Sequence, residues 1–97
     1  MPYTLYYHPR VAEDDLPDIP VNLRQRLARS IETRLTTSPE RYGMPLKGSL
    51  KGYWKLRVGD YRVVFKIVGS EVWILTILHR KAVYQAAMSR LGWQPST

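Results

Sequence analysis

Charged and polar side chains lie inside and directly after a strand-like run in the C-terminal half of the chain. The run, GDYRVVFKIVGSEVWILTILHRKAVY at residues 59–84, is mostly apolar and β-branched, which is typical of a buried sheet. Guanidinium and ammonium groups bind phosphate oxygens, whereas imidazole and phenol groups transfer protons. Both kinds of group occur here, and the residues concerned are Arg62, Lys66, His79, Arg80, Lys81 and Tyr84. The segment therefore has side chains suited to binding a polyanion and to acid–base chemistry on it.

A two-residue turn signal predicts which of these side chains share a face. Gly59-Asp60 separates the strand-like runs YWKLRV and YRVVFKIV, and glycine supplies the positive φ that tight hairpin turns require. Because successive side chains alternate between the two faces, this turn sets Arg57 directly opposite Arg62. One face is then apolar and is expected to meet a long helix: Trp54, Leu56, Val58, Tyr61, Val63 and Phe65. The other face carries Tyr53, Lys55, Arg57, Arg62 and Lys66.

This pairing of arginines is unfavourable unless something neutralises it. Like charges opposite each other across strands destabilise a sheet by up to ~1 kcal/mol per pair. No acid shares this face apart from Asp60 at the turn. Either an anion binds there, or the long side chains simply spread apart into solvent. We favour the anion site, an interpretation that depends on the register, since a one-residue slip would move the cations to the other face.

The next hairpin is expected to extend the same face. With Gly69-Ser70 as its turn, a regular register places these residues on the face of Arg62: Trp73, Leu75, Ile77 and His79. The apolar part of this face needs a cover, which a C-terminal helix from about Lys81 to Leu91 can provide. A basic groove then stays open at one end of the sheet, bordered by Arg57, Arg62, His79, Arg80, Lys81 and Tyr84.

The other predicted elements are those that position this sheet. Residues 3–8 are typical of a strand, and Pro9 can open a short helix whose solvated face includes Glu13, Asp14 and Asp15. A second helix is predicted from about Pro20 to Leu35, with one apolar stripe formed by Leu23, Leu27, Ile31 and Leu35. Four arginines fall off this stripe and are predicted to be solvated rather than part of a binding surface: Arg24, Arg26, Arg29 and Arg34.

The order of these elements predicts an α+β domain. An N-terminal strand and a two-helix hairpin pack on an antiparallel sheet of about four strands, followed by a short C-terminal helix. The inward residues of that last helix are expected to be Val83, Ala86, Ala87 and Leu91, with Gly92 at its end. A chain of 97 residues favours one domain over residues 1–97.

The amino-acid composition excludes several kinds of functional site and indicates a class of partner. The chain has no cysteine, which excludes disulfides, thiolate metal sites and cysteine catalysis, and its two histidines and few clustered acids argue against any metal site or cofactor. No apolar run approaches the ~20 residues of a membrane span, and the N-terminus lacks a signal-peptide pattern, so we expect a cytoplasmic protein. Residues 41–97 hold ten basic and two acidic side chains, which indicates a polyanion or an acidic protein as partner.

The hairpin YWKLRVGDYRVVF, preceded by a Leu-Lys-Gly segment and followed by HRKAVY, resembles the core of the RelE/ParE superfamily of bacterial and archaeal toxins. The resemblance extends over about residues 3–91 and is closest to the RelE-like members. It implies a toxin of a type II toxin–antitoxin system that is a metal-independent endoribonuclease, cutting messenger RNA on the ribosome. It also implies a cognate antitoxin with an acidic or amphipathic segment that neutralises the toxin.

The same resemblance implies roles for individual residues. Arg62 matches the arginine that contacts the scissile phosphate, Lys55 matches a strand lysine that supports substrate binding, and Tyr84 matches a tyrosine near the substrate. His79 and Arg80 match the His-Arg pair of many relatives. The predicted catalytic residues are therefore Arg62, His79, Arg80 and Tyr84. The predicted RNA-binding residues are Lys51, Lys55, Arg57 and Lys81.

Two departures from the family pattern leave the general base open. Some active relatives carry a second lysine two positions before the strand lysine, where this chain has Tyr53. The basic segment before Tyr84 is also shorter than in the best-known ribosome-dependent member of the family. Either His79 or Tyr84 is expected to act as acid or base, or Tyr84 only stacks on a base of the substrate.

Two other functions fit the same residues. In a ParE-like toxin, this fold inhibits DNA gyrase through protein contacts and cleaves no RNA. In a non-catalytic RNA-binding module, the cations bind phosphates without chemistry, and binding weakens steeply with salt.

Overall fold

A five-stranded sheet is the centre of the computed structural model, which describes residues 2–96. The strands run in the order β1-β5-β4-β3-β2, and their bounds are β1 Thr4–Tyr7, β2 Met44–Pro45, β3 Trp54–Val58, β4 Tyr61–Val68 and β5 Glu71–His79. β1 is parallel to β5, and the other neighbouring strands are antiparallel. The α-helices are α1 Val21–Leu35, α2 Pro39–Tyr42 and α3 Val83–Met88. The predicted α+β fold is confirmed, and β2 is the strand that the sequence did not indicate.

The first hairpin has the predicted register. Arg57 pairs with Arg62 across β3 and β4, and Leu56 pairs with Val63. The apolar face of this hairpin packs on α1, whose buried residues are Leu27, Ile31 and Leu35. Alternating side chains thus leave the cations on the face away from α1, as the turn at Gly59-Asp60 predicted.

The second hairpin departs from the predicted register because β5 contains a bulge. Val64 pairs with Thr76, whereas Phe65 pairs with Ile74, so Leu75 is an extra residue in β5. A bulge of one residue reverses the facing of every residue beyond it. Trp73 and Leu75 remain on the predicted face. The prediction was wrong for Ile77 and His79, which lie on the α1 face, with Ile77 buried among the α1 core residues and His79 opposite Tyr61.

The N-terminal segment also differs from its prediction. Its short helix is irregular, with a π-helical turn at Val11–Asp15 followed by a 3₁₀ turn at Leu16–Asp18. Asp15, predicted to be solvated, is buried with only 1% of its surface exposed. The reason is an ion pair with Arg90, which is itself 5% exposed.

The C-terminal helix covers the apolar part of the cationic face of the sheet, as predicted. Val83 and Ala87 of α3 pack against Val64 and Leu75. The helix ends at Met88, earlier than predicted, and Leu91 is exposed rather than buried. Arg90 takes the inward position because it reaches the buried Asp15.

No helix within residues 2–96 is long and apolar enough to span a membrane.

Candidate functional site

Arg62 is held in place by the turn that precedes it. Its Nη1 donates hydrogen bonds of 2.9 Å each to the carbonyl oxygens of Gly59 and Tyr61. Gly59 makes this possible because its φ of 60° closes the tight turn. No acceptor within residues 2–96 takes the N–H groups on Nε and Nη2, so the guanidinium keeps donors for an external anion.

A cleft of about 200 Å³ opens beside Arg62 at the β3 edge of the sheet. β2 pairs only with Trp54 and Lys55, so the rest of β3 has no neighbour on that side. The residues lining the cleft are Arg34, Tyr42, Met44, Lys55, Leu56, Arg57 and Arg62. Four of these are cations and none is an acid. We call this group the cationic cleft.

The cations of the cleft have no carboxylate partners in the part of the chain that the structure describes. Its two ion pairs are Arg10–Asp14 on the surface and Arg90–Asp15 in the interior. A concave group of uncompensated charges of one sign concentrates counter-ions of the other. The arrangement is therefore suited to binding a phosphate group, with Arg62 as a planar donor fixed before the anion arrives.

Arg34 and Tyr42 are cleft residues that sequence reasoning missed. Arg34 comes from the last turn of α1 and Tyr42 from the end of α2. The Arg34 guanidinium carbon lies 5.7 Å from the centre of the Tyr42 ring, which is a cation–π contact. Arg34 was predicted to lie on the solvated face of α1. Its place in the cleft was missed because helical periodicity does not show that the end of a helix reaches the sheet edge.

Arg80 lies at the same end of the sheet as Arg62. Its backbone N–H donates to the carbonyl oxygen of Asp60 at 2.9 Å, which joins the end of β5 to the β3–β4 turn. The Arg80 side chain is exposed, as is that of Lys81. The structure thus gathers Arg57, Arg62 and Arg80 around one turn, although Arg80 and Lys81 do not line the cationic cleft.

His79 is not beside Arg62. Its ring meets the ring of Tyr61 edge-on, with centroids 5.7 Å apart, on the face that packs against α1. Its Nδ1 accepts a hydrogen bond of 3.2 Å from the backbone N–H of Lys81. The expectation that His79 shares the face of Arg62 was wrong, because the bulge in β5 reverses its direction.

Tyr84 lies on the cationic face of the sheet, and neither Tyr84 nor Lys51 lines the cleft. Tyr84 is half-buried and packs against the cluster formed by Leu50, Tyr53, Val64, Leu75, Val83 and Ala87. Lys51 is exposed directly after the 3₁₀ turn at Gly48–Leu50. No group of three or more metal-ligating side chains comes together within residues 2–96.

A family model and individual known proteins that resemble this chain all belong to toxins of toxin–antitoxin systems. Residues 5–84 match the family model for the ParE toxin of the type II toxin–antitoxin system parDE. Toxin RelE of Mycobacterium tuberculosis is 34% identical over 76 residues, which covers 76% of this chain and 78% of that toxin. Toxin RelG of the same organism is 31% identical over 87 residues, covering 88% of this chain and 99% of that toxin.

A solved structure agrees with these matches. The toxin–antitoxin complex RelBE2 from Mycobacterium tuberculosis contains a chain that superposes with a TM-score of 0.74 at 30% identity, covering 82% of this chain and 93% of that one. The α+β fold and the register of the hairpin that carries Arg62 agree with the motif-based expectation. The chain therefore belongs to the RelE/ParE superfamily of toxins of type II toxin–antitoxin systems.

Proposed function

We propose that this toxin is an endoribonuclease that cleaves messenger RNA, with the scissile phosphate bound in the cationic cleft. The observation that carries the proposal is the arrangement of Arg62. Its guanidinium is fixed by two turn carbonyls, retains free donors, and lines a cleft with three further cations and no acid. Donors positioned before charge develops are the largest source of stabilisation for reactions of this kind.

The reaction needs no group beyond RNA and side chains. The ribose 2′-oxygen attacks the adjacent phosphorus and loses its proton to a base, while the bond from phosphorus to the 5′-oxygen breaks. The leaving 5′-oxygen takes up a proton, and the products carry a 2′,3′-cyclic phosphate and a 5′-hydroxyl. The phosphorane carries additional negative charge, which Arg62 binds through its free donors and which Arg57 and Lys55 stabilise by their charge. The requirement for a 2′-hydroxyl restricts the reaction to RNA.

The proton transfers are assigned from proximity to the cleft. His79 lies on the opposite face of the sheet, which argues against its direct participation. Among the residues lining the cleft, Lys55 and Tyr42 are the side chains other than arginine with a transferable proton. We therefore place proton transfer on Lys55, or on Tyr84 from the same face of the sheet, with Arg80 and the exposed Lys51 and Lys81 guiding the RNA backbone.

A cognate antitoxin is the second partner we propose. The RelBE2 relative is a toxin–antitoxin complex. An acidic antitoxin segment would complement the net charge of +7 and would compete with RNA for the cationic cleft. An amphipathic segment would find an apolar groove of about 430 Å³ between the N-terminal helical turns and α1, lined by residues that include Val11, Ala12 and Leu16.

The groove assignment is tested with Ala12→Lys, because Ala12 is exposed and its replacement leaves the core intact. We expect this variant to bind the antitoxin at least tenfold more weakly by isothermal titration calorimetry. Val21→Lys is the matched control, since Val21 is an exposed apolar residue outside the groove lining. Equal affinities for the two variants would contradict the groove assignment.

A ParE-like activity on DNA gyrase is the alternative, supported by the matching family model and by the position of His79 away from Arg62. The experiment that separates the two is induction of the toxin in a bacterial host, followed by mapping of 5′ ends on a translated and an untranslated transcript. Arg62→Ala is compared with Arg29→Ala, which removes an exposed cation of α1 that does not line the cleft.

We expect new 5′ ends with the wild type and with Arg29→Ala, and none with Arg62→Ala. Cuts confined to the translated transcript would place the reaction on the ribosome. Growth arrest with intact messages and a DNA-damage response would refute the nuclease and favour gyrase. Salt-sensitive RNA binding with no cut at all would identify a non-catalytic RNA-binding module.

A further inference from the structure

We propose that Tyr42 and Arg34 form a nucleoside subsite at one side of the cationic cleft. In this subsite the Tyr42 ring stacks on a base of single-stranded RNA next to the cut, and Arg34 binds the phosphate attached to that nucleoside. The proposal rests on RNA being the substrate, and it adds residues from α1 and α2 to a site otherwise built from the sheet.

The first observation is the exposure of Tyr42. Its side chain belongs to neither apolar cluster of the core, and 47% of its surface is exposed. A tyrosine needed for folding is normally buried along its ring. Arg34 lies over the ring, with its guanidinium carbon 5.7 Å from the ring centre, and about half of the Tyr42 surface remains accessible to a ligand. An aromatic ring left open beside a group of cations has the form of a stacking platform.

The second observation is the mixture of apolar and cationic surface in one small cleft. Met44, two residues after Tyr42, lines the same cleft and is 61% exposed. Tyr42 and Met44 thus add apolar surface to a cleft that Arg57 and Arg62 also line. A nucleotide has the same two parts, a flat base and an anionic phosphate, whereas an inorganic anion needs no apolar surface.

The third observation concerns the charge of Arg34. A basic residue in the last turn of a helix is often explained by the helix dipole, and Arg34 occupies such a position in α1. That explanation does not account for its location over Tyr42 or in a cleft with three other cations. Within residues 2–96 Arg34 has neither a carboxylate nor a hydrogen-bond acceptor for its guanidinium, so its donors remain for a ligand.

The binding test uses a fluorescent hexamer of 2′-O-methyl RNA, which cannot be cleaved because its 2′-oxygens carry methyl groups. Fluorescence anisotropy gives the affinity of the purified chain for this hexamer between 50 and 300 mM salt, a range chosen so that the phosphate contribution is measurable. The variants are Tyr42→Leu, Tyr42→Phe and Arg34→Gln. The matched control is Arg29→Gln, which removes an exposed cation of the same helix outside the cleft.

We expect Tyr42→Leu to weaken binding by roughly 5- to 150-fold, as loss of one stacked base does, while Tyr42→Phe retains the ring and binds like the wild type. Arg34→Gln should lower the slope of log affinity against log salt by about 0.7, the contribution of one phosphate contact to a single strand. Arg29→Gln should change neither quantity. Thermal unfolding of each variant checks that the exposed replacements leave the fold intact.

The outcomes separate this subsite from the proposed nuclease. If Tyr42→Leu binds the hexamer like the wild type while Arg62→Ala binds more weakly, the subsite is refuted and the phosphate site remains. Failure of the wild type to bind the hexamer also refutes the subsite. If binding depends on Tyr42 but no message is cut in the host, the subsite is supported and the nuclease is refuted.

Discussion

The buried ion pair between Asp15 and Arg90 gives the sharpest prediction about folding. The two carboxylate oxygens each lie 2.8 Å from a guanidinium nitrogen of Arg90. Asp15 Oδ2 also accepts hydrogen bonds from the Thr76 hydroxyl and the Ile77 N–H, and Arg90 Nη1 donates to the Leu75 carbonyl oxygen. The pair therefore supplies partners for backbone groups that the bulge in β5 removes from regular pairing.

Replacing one member of the pair should be severely destabilising. Asp15→Ala leaves the Arg90 charge buried without a partner and the Ile77 N–H without an acceptor, for which a loss of about 3–5 kcal/mol is expected. A domain of this size has a free energy of unfolding of roughly 5–15 kcal/mol. The substitution thus removes a large fraction of the stability, or all of it.

The double variant Asp15→Leu/Arg90→Met separates two contributions to the free energy of unfolding: the burial of the two charges, and the hydrogen bonds that the pair makes to the backbone. It removes both buried charges and keeps similar volume, so it should be less destabilised than the sum of Asp15→Leu and Arg90→Met. It should not recover the stability of the wild type, because the Leu75 carbonyl and the Ile77 N–H each lose a partner at about 1–3 kcal/mol.

Urea unfolding followed by tryptophan fluorescence at pH 7 measures these free energies. The control is Asp14→Ala, which breaks the exposed Arg10–Asp14 pair, whose side chains are about half exposed, and should cost less than ~0.5 kcal/mol. An Asp15→Ala variant within ~1 kcal/mol of the wild type would contradict the reasoning. So would a double variant as unstable as the sum of its single variants.

Three further predictions concern other parts of the molecule. Gly43→Ala should destabilise the fold by about 1–3 kcal/mol in urea unfolding, because its Cβ would lie 2.6 Å from the Phe65 ring; an unchanged midpoint would show that this packing is loose. Arg57→Thr should raise the free energy of unfolding by up to ~1 kcal/mol, by relieving the repulsion from Arg62, and should weaken RNA binding; lower stability would argue against that repulsion. Burial, followed by the charges of nearby arginines, lowers the pKa of His8 below its usual 6.5. The free energy of unfolding should therefore fall as pH drops below about 6.5 and level off below the pKa of the folded state, and His8→Gln should remove this pH dependence. An NMR titration of His8 with a midpoint at or above 6.5 would contradict the prediction.

The sequence predicted what depends on local chain geometry. Gly59-Asp60 set the register of the first hairpin, because a two-residue turn allows only one pairing of the strands it joins. The pairing of Arg57 with Arg62 and the apolar face for α1 followed from that register. The interval of four residues in α1 likewise predicted its packing side, on which Leu27, Ile31 and Leu35 are buried and Leu23 is partly buried.

The parts that were missed depend on contacts between distant residues. The bulge at Leu75 is supported by Asp15 and Arg90, which lie 75 positions apart, so no local pattern could indicate it. Asp15 follows two other acids in the sequence and was therefore predicted to be solvated, because the sequence does not show that Arg90 is its partner. The same holds for Arg34 and Tyr42, which meet the cationic cleft only because the ends of α1 and α2 reach the sheet edge.

The chemical identity of the RNA ends is the most direct test of the central claim, that a phosphate held by Arg62 is attacked by the neighbouring 2′-hydroxyl. Messenger RNA is recovered after brief induction of the toxin, and the ends at each cut are identified by selective ligation and mass spectrometry. We predict a 5′-hydroxyl on the downstream fragment and a 2′,3′-cyclic phosphate upstream, present with Arg29→Ala and absent with Arg62→Ala. Intact messages in arrested cells, or cuts with 5′-phosphate ends, would contradict the proposed reaction.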